Sequence, residues 1–436
     1  MRSLKVRISA GVVDAGLSSL QGFAVGLAAV TMLDPASLGV YAVFYAACQL
    51  AMALPSELVL IPAELAAVSL PEQKRLVVLP RSLRVGVLPA LLAGLLTLIA
   101  VPVTAGVTST TTLLALAIPT VVAATLGPPE EHIRRMLHLE GRSLAAVAAA
   151  TAMLVASGLV IVGLALTPID RVWIPQTALA AGNLASLITG FLLARSGFIG
   201  RVAGIDLRLR ALIRTGRWML VQGAVPMVSL FAASALVTRL AGPEFLGYAE
   251  AARTVSQPVI VLGLGLLRVL GPRSVEAGLT HSIEWGRSNA RMYRRLLFGG
   301  TALYMALVGW DWSLNPFAHL VPSAYVMPGL VLLTAAGNAL NSSVFPERAE
   351  LWGGGRAPAV AAIESITSLL TVALAATAGW TLAYARPLGR LFQGVGNVVA
   401  YQRQLGKMYR QVVGRRTAEE ETEDGRRKAE VARLLD

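Results

Sequence analysis

The chain has 436 residues, of which 55% are hydrophobic and 14% charged, with a mean hydropathy of +0.64 and a formal net charge of +13. Soluble globules carry about a quarter charged residues, so this composition excludes one. Uncharged apolar runs of roughly 20 residues recur, each long enough to cross about 30 Å of hydrocarbon, and the class is therefore a polytopic membrane protein.

The first helix is expected over 8–32. The basic opening MRSLKVR invites a signal-peptide reading, but Asp14 and Gln21 interrupt the apolar run and no small-residue cleavage site follows, so a retained helix is expected. A second helix is expected over 35–68, then a basic loop with Lys74, Arg75, Arg81 and Arg84, a third helix over 85–107 and a fourth over 113–127. A charged loop, PPEEHIRRMLHLEGR, precedes helices over 143–167 and 173–194. The stretch 195–217 holds six arginines and one aspartate and reads as a cytoplasmic linker. Six more helices are expected over 218–240, 246–270, 296–314, 322–345, 357–378 and 380–402, followed by a charged tail over 403–436. The domain division is thus 1–194, 195–217, 218–402 and 403–436.

The two halves repeat. Pro35-Ala36-Ser37-Leu38-Gly39 answers to Pro243-Glu244-Phe245-Leu246-Gly247, 208 residues on. Arg134, Arg135, Gly141 and Arg142 precede helix five; Arg348, Gly355 and Arg356 precede helix eleven. Trp173 and Gly182 are matched by Trp380 and Gly389. Three matches in one order, at offsets of 207 to 214, indicate a duplicated unit. With the N-terminus inside, the inner segments hold 32 of the 38 lysines and arginines, so both termini are assigned to the cytoplasm. Six helices per half give parallel repeats about an axis along the membrane normal.

An apolar helix, a Pro-x-x-x-Gly turn, a tyrosine and a polar-striped helix resemble the polysaccharide-repeat-unit flippases, part of the multidrug/oligosaccharidyl-lipid/polysaccharide exporter superfamily. The resemblance implies an all-α integral membrane fold of twelve transmembrane helices in two six-helix lobes around a central cavity. It implies export of a polyprenyl-diphosphate-linked oligosaccharide by alternating access at the bacterial inner membrane, with a polysaccharide polymerase or glycosyltransferases as partners beside the membrane lipids. The same superfamily offers an alternative, a proton- or cation-coupled multidrug or metabolite antiporter. A polyprenyl-linked glycosyltransferase is a remote alternative: its chemistry needs acidic residues on the outer face, where only Asp34, Asp170, Glu244 and Asp311 fall.

Charge inside a membrane helix costs at least about 2.5–3.5 kcal/mol at its centre, so each such residue asks for a reason. Glu250, Arg253, Thr254 and Gln257 share one face of helix eight. Arg386, Arg390, Gln393, Asn397 and Tyr401 stripe helix twelve, and Tyr41, Tyr45 and Gln49 stripe helix two. Facing a cavity, Arg253, Arg386 and Arg390 would bind substrate phosphates through their forked donors, with Gln257, Tyr45 and Asn397 completing the site. The competing reading is structural, with Glu250 and Arg253 pairing and Arg386 and Arg390 held by carbonyls. In the duplicated unit Arg253 answers to Tyr45, and Arg386 and Arg390 to Leu179 and Asn183, so the charge is confined to the second lobe. Asp14 in helix one resembles the acidic position that multidrug antiporters use for ion coupling, and an ordinary hydrogen-bonded acid is its plainer reading. No phosphate-binding loop, cofactor motif, metal-ligand spacing or nucleic-acid patch is expected, and Cys48, the single cysteine, allows no disulfide.

Overall fold

The computed structural model describes residues 2–198, 206–308, 315, 317 and 320–435. Among them there is no β-strand, only an isolated bridge between Ala105 and Thr108. The first half comprises α1 (Arg2–Met32), α2 (Pro35–Val68), α3 (Glu72–Thr104), α4 (Thr110–Leu139), α5 (Ser143–Ala165) and α6 (Arg171–Leu193). The second comprises α7 (Leu209–Leu240), α8 (Pro243–Thr280), α9 (Ile283–Val308), α10 (Leu330–Ser342, continued by Phe345–Gly353), α11 (Ala357–Ala375) and α12 (Ala385–Leu435). Nine of these are long and apolar enough to cross a membrane. The other three are α9, arginine-rich at its start, α10, broken in two, and α12 with its polar stripe.

Several boundaries move from expectation. The charged loop after residue 127 is helix as far as Leu139. Its charges pair along that helix, Arg134 with Glu130 at 2.9 Å and Arg135 with Glu131 at 2.6 Å. Its apolar side, Ile133, Met136 and Leu137, is buried in one core with Leu76 and Leu79. A run that looks like a loop by charge is an amphipathic helix end by spacing. α8 likewise passes Pro258 and Pro272 to reach Thr280, and α12 continues through the tail. In α2 the pair Pro55 and Pro62 brackets a π-helical turn, Ser56–Leu60, which absorbs the lost donors without ending the helix. The expected end of helix nine, with Asp311, lies outside the described residues.

The halves pack alike. α5 lies against α1 and α6, α6 against α4, and α3 against α2 and α4; in the second half α11 lies against α7 and α12, α12 against α10, and α9 against α8 and α10. The sequence repeats have structural causes. Gly141 and Gly355 both adopt left-handed backbone, φ 82° and 70°, and end their helices with the same closure: Arg142 N to Leu137 O and Arg356 N to Leu351 O, each 2.8 Å. Gly182 packs on Ser157 of α5, and Gly389 packs on Thr371 of α11.

The third repeat closes the molecule between its halves. A Cβ on Gly39 would lie 1.7 Å from the carbonyl oxygen of Pro243, and one on Gly247 would lie 2.0 Å from that of Pro35. The two turns thus pack reciprocally about the pseudo-twofold axis. Around them one apolar core, including Leu38, Phe44, Val237 and Leu246, runs through both halves. At the opposite, basic end one core joins Leu76 and Leu137 of the first half to Leu212 at the start of α7, while Leu351 and Tyr401 form another within the second half. The lobes therefore join at the paired turns.

Candidate functional site

The seam between lobes carries a buried charge cluster. Glu250 on α8 is 1% exposed and accepts from two arginines. Arg253, one turn on, reaches its Oε1 at 2.6 Å, and Arg386 of α12 reaches Oε2 at 3.0 Å. The Arg253 guanidinium also lies over the Tyr45 ring of α2, 5.1 Å from its centre, and Tyr45 stacks on Tyr41. Arg253 thus bridges the lobes, with its carboxylate partner in one and its aromatic partner in the other. Beside it, Tyr41 Oη, Thr254 Oγ1 and Gln257 Oε1 are buried with no hydrogen-bond partner among the described residues. Thr254 packs on Gly26 of α1, and Gln257 faces Gly22.

The other two expected site residues lie deeper in the second lobe. Arg390 is half-buried and donates to Gln393 Oε1 at 3.2 Å, with no ion pair among the described residues. Asn397 accepts from Thr367 at 2.6 Å and donates to Asn341 at 3.2 Å. Asn341 in turn donates to the Arg390 carbonyl at 2.7 Å. The α12 stripe is therefore satisfied mostly by neighbouring helices. Only its first member, Arg386, reaches the seam.

Asp14 lies in the first lobe and is 8% exposed. Arg134 donates to it at 2.7 Å, and to Ser18 Oγ at 2.7 Å, while its Nε serves Glu130. Ser186 donates to the same Glu130 carboxylate at 2.8 Å, and His138 Nε2 lies 3.3 Å from Asp14. One guanidinium is shared by two carboxylates. The cluster borders a cavity of about 410 Å³ between the lobes at the basic end, which Glu131 and Arg135 of α4 and Arg268 of α8 also line. Arg268 crosses this gap to donate to the Gly11 carbonyl at 3.0 Å.

Sequence reading missed Glu130, His138 and Arg268 as members of the site. The first two lie in the charged stretch expected as a loop, where the Glu130-x-x-x-Arg134 spacing is the signal of a helix. Glu364 was missed as well; it accepts from Tyr401 at 2.7 Å and meets Arg348 at 3.6 Å. Arg348 is the repeat partner of Arg134, and its carboxylate comes from α11 instead of from the first helix of the lobe. No cluster with metal-binding composition occurs among the described residues.

No protein-family model and no curated protein sequence matches the chain. Solved structures do. An inward-facing multidrug resistance MATE family transporter of the MOP superfamily superposes with a TM-score of 0.72 at 14% identity, over 90% of this chain and 96% of that one. An outward-facing transporter of the same family gives 0.57 at 15% identity, over 94% and 95%. The MATE multidrug transporter DinF-BH, solved as a complex, gives 0.61 at 13% identity, over 92% and 95%. The fold is that of these two-lobed transporters.

Proposed function

We propose that the chain is an alternating-access exporter of the multidrug or metabolite antiporter kind, driven by a proton or cation gradient across a bacterial inner membrane, with both termini cytoplasmic. Asp14 carries this reading. It lines the inter-lobe cavity and competes with Glu130 for one guanidinium, so a proton arriving from the cavity can neutralise Asp14 and leave Arg134 to Glu130. The cargo would occupy the seam, where the unpartnered atoms of Tyr41, Thr254 and Gln257 offer hydrogen bonds. The likeness to multidrug transporters supports exchange over enzymatic chemistry. Arg253 and Arg386 spend donors on Glu250, which counts against free forks waiting for a diphosphate and moves lipid-linked oligosaccharide flipping to second place. One observation keeps that second reading: two guanidiniums, of Arg253 and Arg386, share a single carboxylate, Glu250, and leave the cluster cationic. On it, the lipid-linked sugar and its polymerase or glycosyltransferases would be the partners.

Vesicles holding the purified chain under an imposed pH gradient test the choice. Gradient-driven movement of a dye, lost in Asp14→Asn with folding intact, is expected. Translocation of lipid-linked sugar with no gradient-driven dye movement would overturn the antiporter reading in favour of the second.

A further inference from the structure

A second cavity lies away from the seam, at the basic end of the second lobe. It has a volume of about 940 Å³ and is formed by the start of α9, the Phe345–Gly353 part of α10, and α12 beyond residue 401. Four arginines line it: Arg287, Arg291 and Arg294 from α9 and Arg410 from α12. Arg294 is paired with Glu347. The other three have no carboxylate partner among the described residues and are exposed. Glu350, also in the wall, is 3% exposed and accepts from the Tyr409 hydroxyl. Burial raises its pKa to about 7, with Glu347 adding to the rise and Tyr409 opposing it, so much of its charge is absent near neutrality.

The helix that supplies the arginines is amphipathic along its length. Arg287, Arg291, Arg294 and Phe298 fall on one face, at steps of four, three and four. Phe298 is 41% exposed, one turn further into the apolar region than Arg294. Trp285, 46% exposed at the start of the same helix, suits a headgroup-level anchor. A polar cationic pocket therefore gives way, one helix turn on, to the apolar track that the exposed Phe298 begins.

We infer that this pocket holds the phosphate of an anionic phospholipid headgroup, whose acyl chain runs past Phe298. Forked donors on three helix turns match phosphate oxygens, and a basic recess between helices at the inner face suits an anionic headgroup. The apolar track distinguishes a lipid from free phosphate, which needs only the arginines.

Native mass spectrometry of the full chain, released from detergent with equal phosphatidylglycerol and phosphatidylcholine, tests this. Phosphatidylglycerol should be retained in preference. The Arg287→Gln/Arg291→Gln/Arg410→Gln variant should lose roughly ten- to hundredfold in its affinity. Arg295→Gln/Arg403→Gln, which removes two exposed charges outside the pocket, should retain it. Arg410→Gln alone, at an exposed position, keeps the test open if the triple variant unfolds, and a partial loss is expected. Equal retention of both lipids, equal losses in the pocket and control variants, or full displacement by millimolar inorganic phosphate would each overturn the assignment.

Discussion

At the residue scale the buried triad of Glu250, Arg253 and Arg386 behaves as a unit. Removing the one carboxylate leaves the buried Arg386 and the half-buried Arg253 without their shared partner, and breaking a buried pair of this kind costs about 3–5 kcal/mol. Glu250→Gln is therefore expected to lower the thermal midpoint in detergent sharply. Arg390→Gln, whose side-chain partner among the described residues is the neutral Gln393, should cost far less. A midpoint unchanged in Glu250→Gln would show that the arginines are satisfied by something else. Glu350 gives a pH signature. Its folded pKa, raised by burial to about 7, exceeds the ordinary carboxylate value, so the native state binds its proton more tightly. That contribution to stability is complete below about pH 4.5 and is lost as pH rises through about 7. Glu350→Gln should flatten the fall in stability over that window, as read by unfolding midpoints between pH 5 and 8. An equally steep fall in the variant would assign it to other groups.

At the element scale the contact of α2 with α8 is the joint. Gly39 and Gly247 admit each other's proline carbonyls, and neither site has room for a methyl group. Gly39→Ala should cost about 1–3 kcal/mol of overpacking in the closed form. Because only the joined end bears that cost, the balance should shift toward a form open there. Spin labels at Ser109 and Ala376, exposed residues of the two lobes at that end, should report a longer separation in Gly39→Ala. An unchanged distance distribution, in a variant that folds, would mean the joint does not move. The π-helical turn of α2, the 3₁₀ segments Glu72–Val78 and Thr97–Ile99 of α3 and the break in α10 all depart from regular α-helix geometry.

At the scale of the whole molecule, orientation is the claim most open to test. Single cysteines near Arg208 and at Ser109, in a Cys48→Ala background, should differ: an impermeant reagent in intact cells should label only Ser109. Labelling near Arg208 would invert the assignment and place the Asp14 cavity and the arginine-lined pocket on the outer face.

The chain's class, its duplication and its helix count were legible in the sequence. Hydropathy and the distribution of arginine and lysine act one residue at a time along the chain, and the repeats Pro35–Gly39 and Pro243–Gly247 are visible by spacing. The polar faces were legible too, since Glu250, Arg253 and Gln257 follow the helical period. What each face meets was not. Whether Arg253 is free or spent depends on Arg386, 133 residues later, and on Tyr45 in the other lobe. Asp14 likewise acquires its meaning from Arg134 and Glu130, brought to it by the packing of one lobe. Periodicity decides which side of a helix is polar, because that is local geometry. Only the tertiary structure decides which charges are neutralised, because Coulomb partners in a buried site are chosen by distance in space.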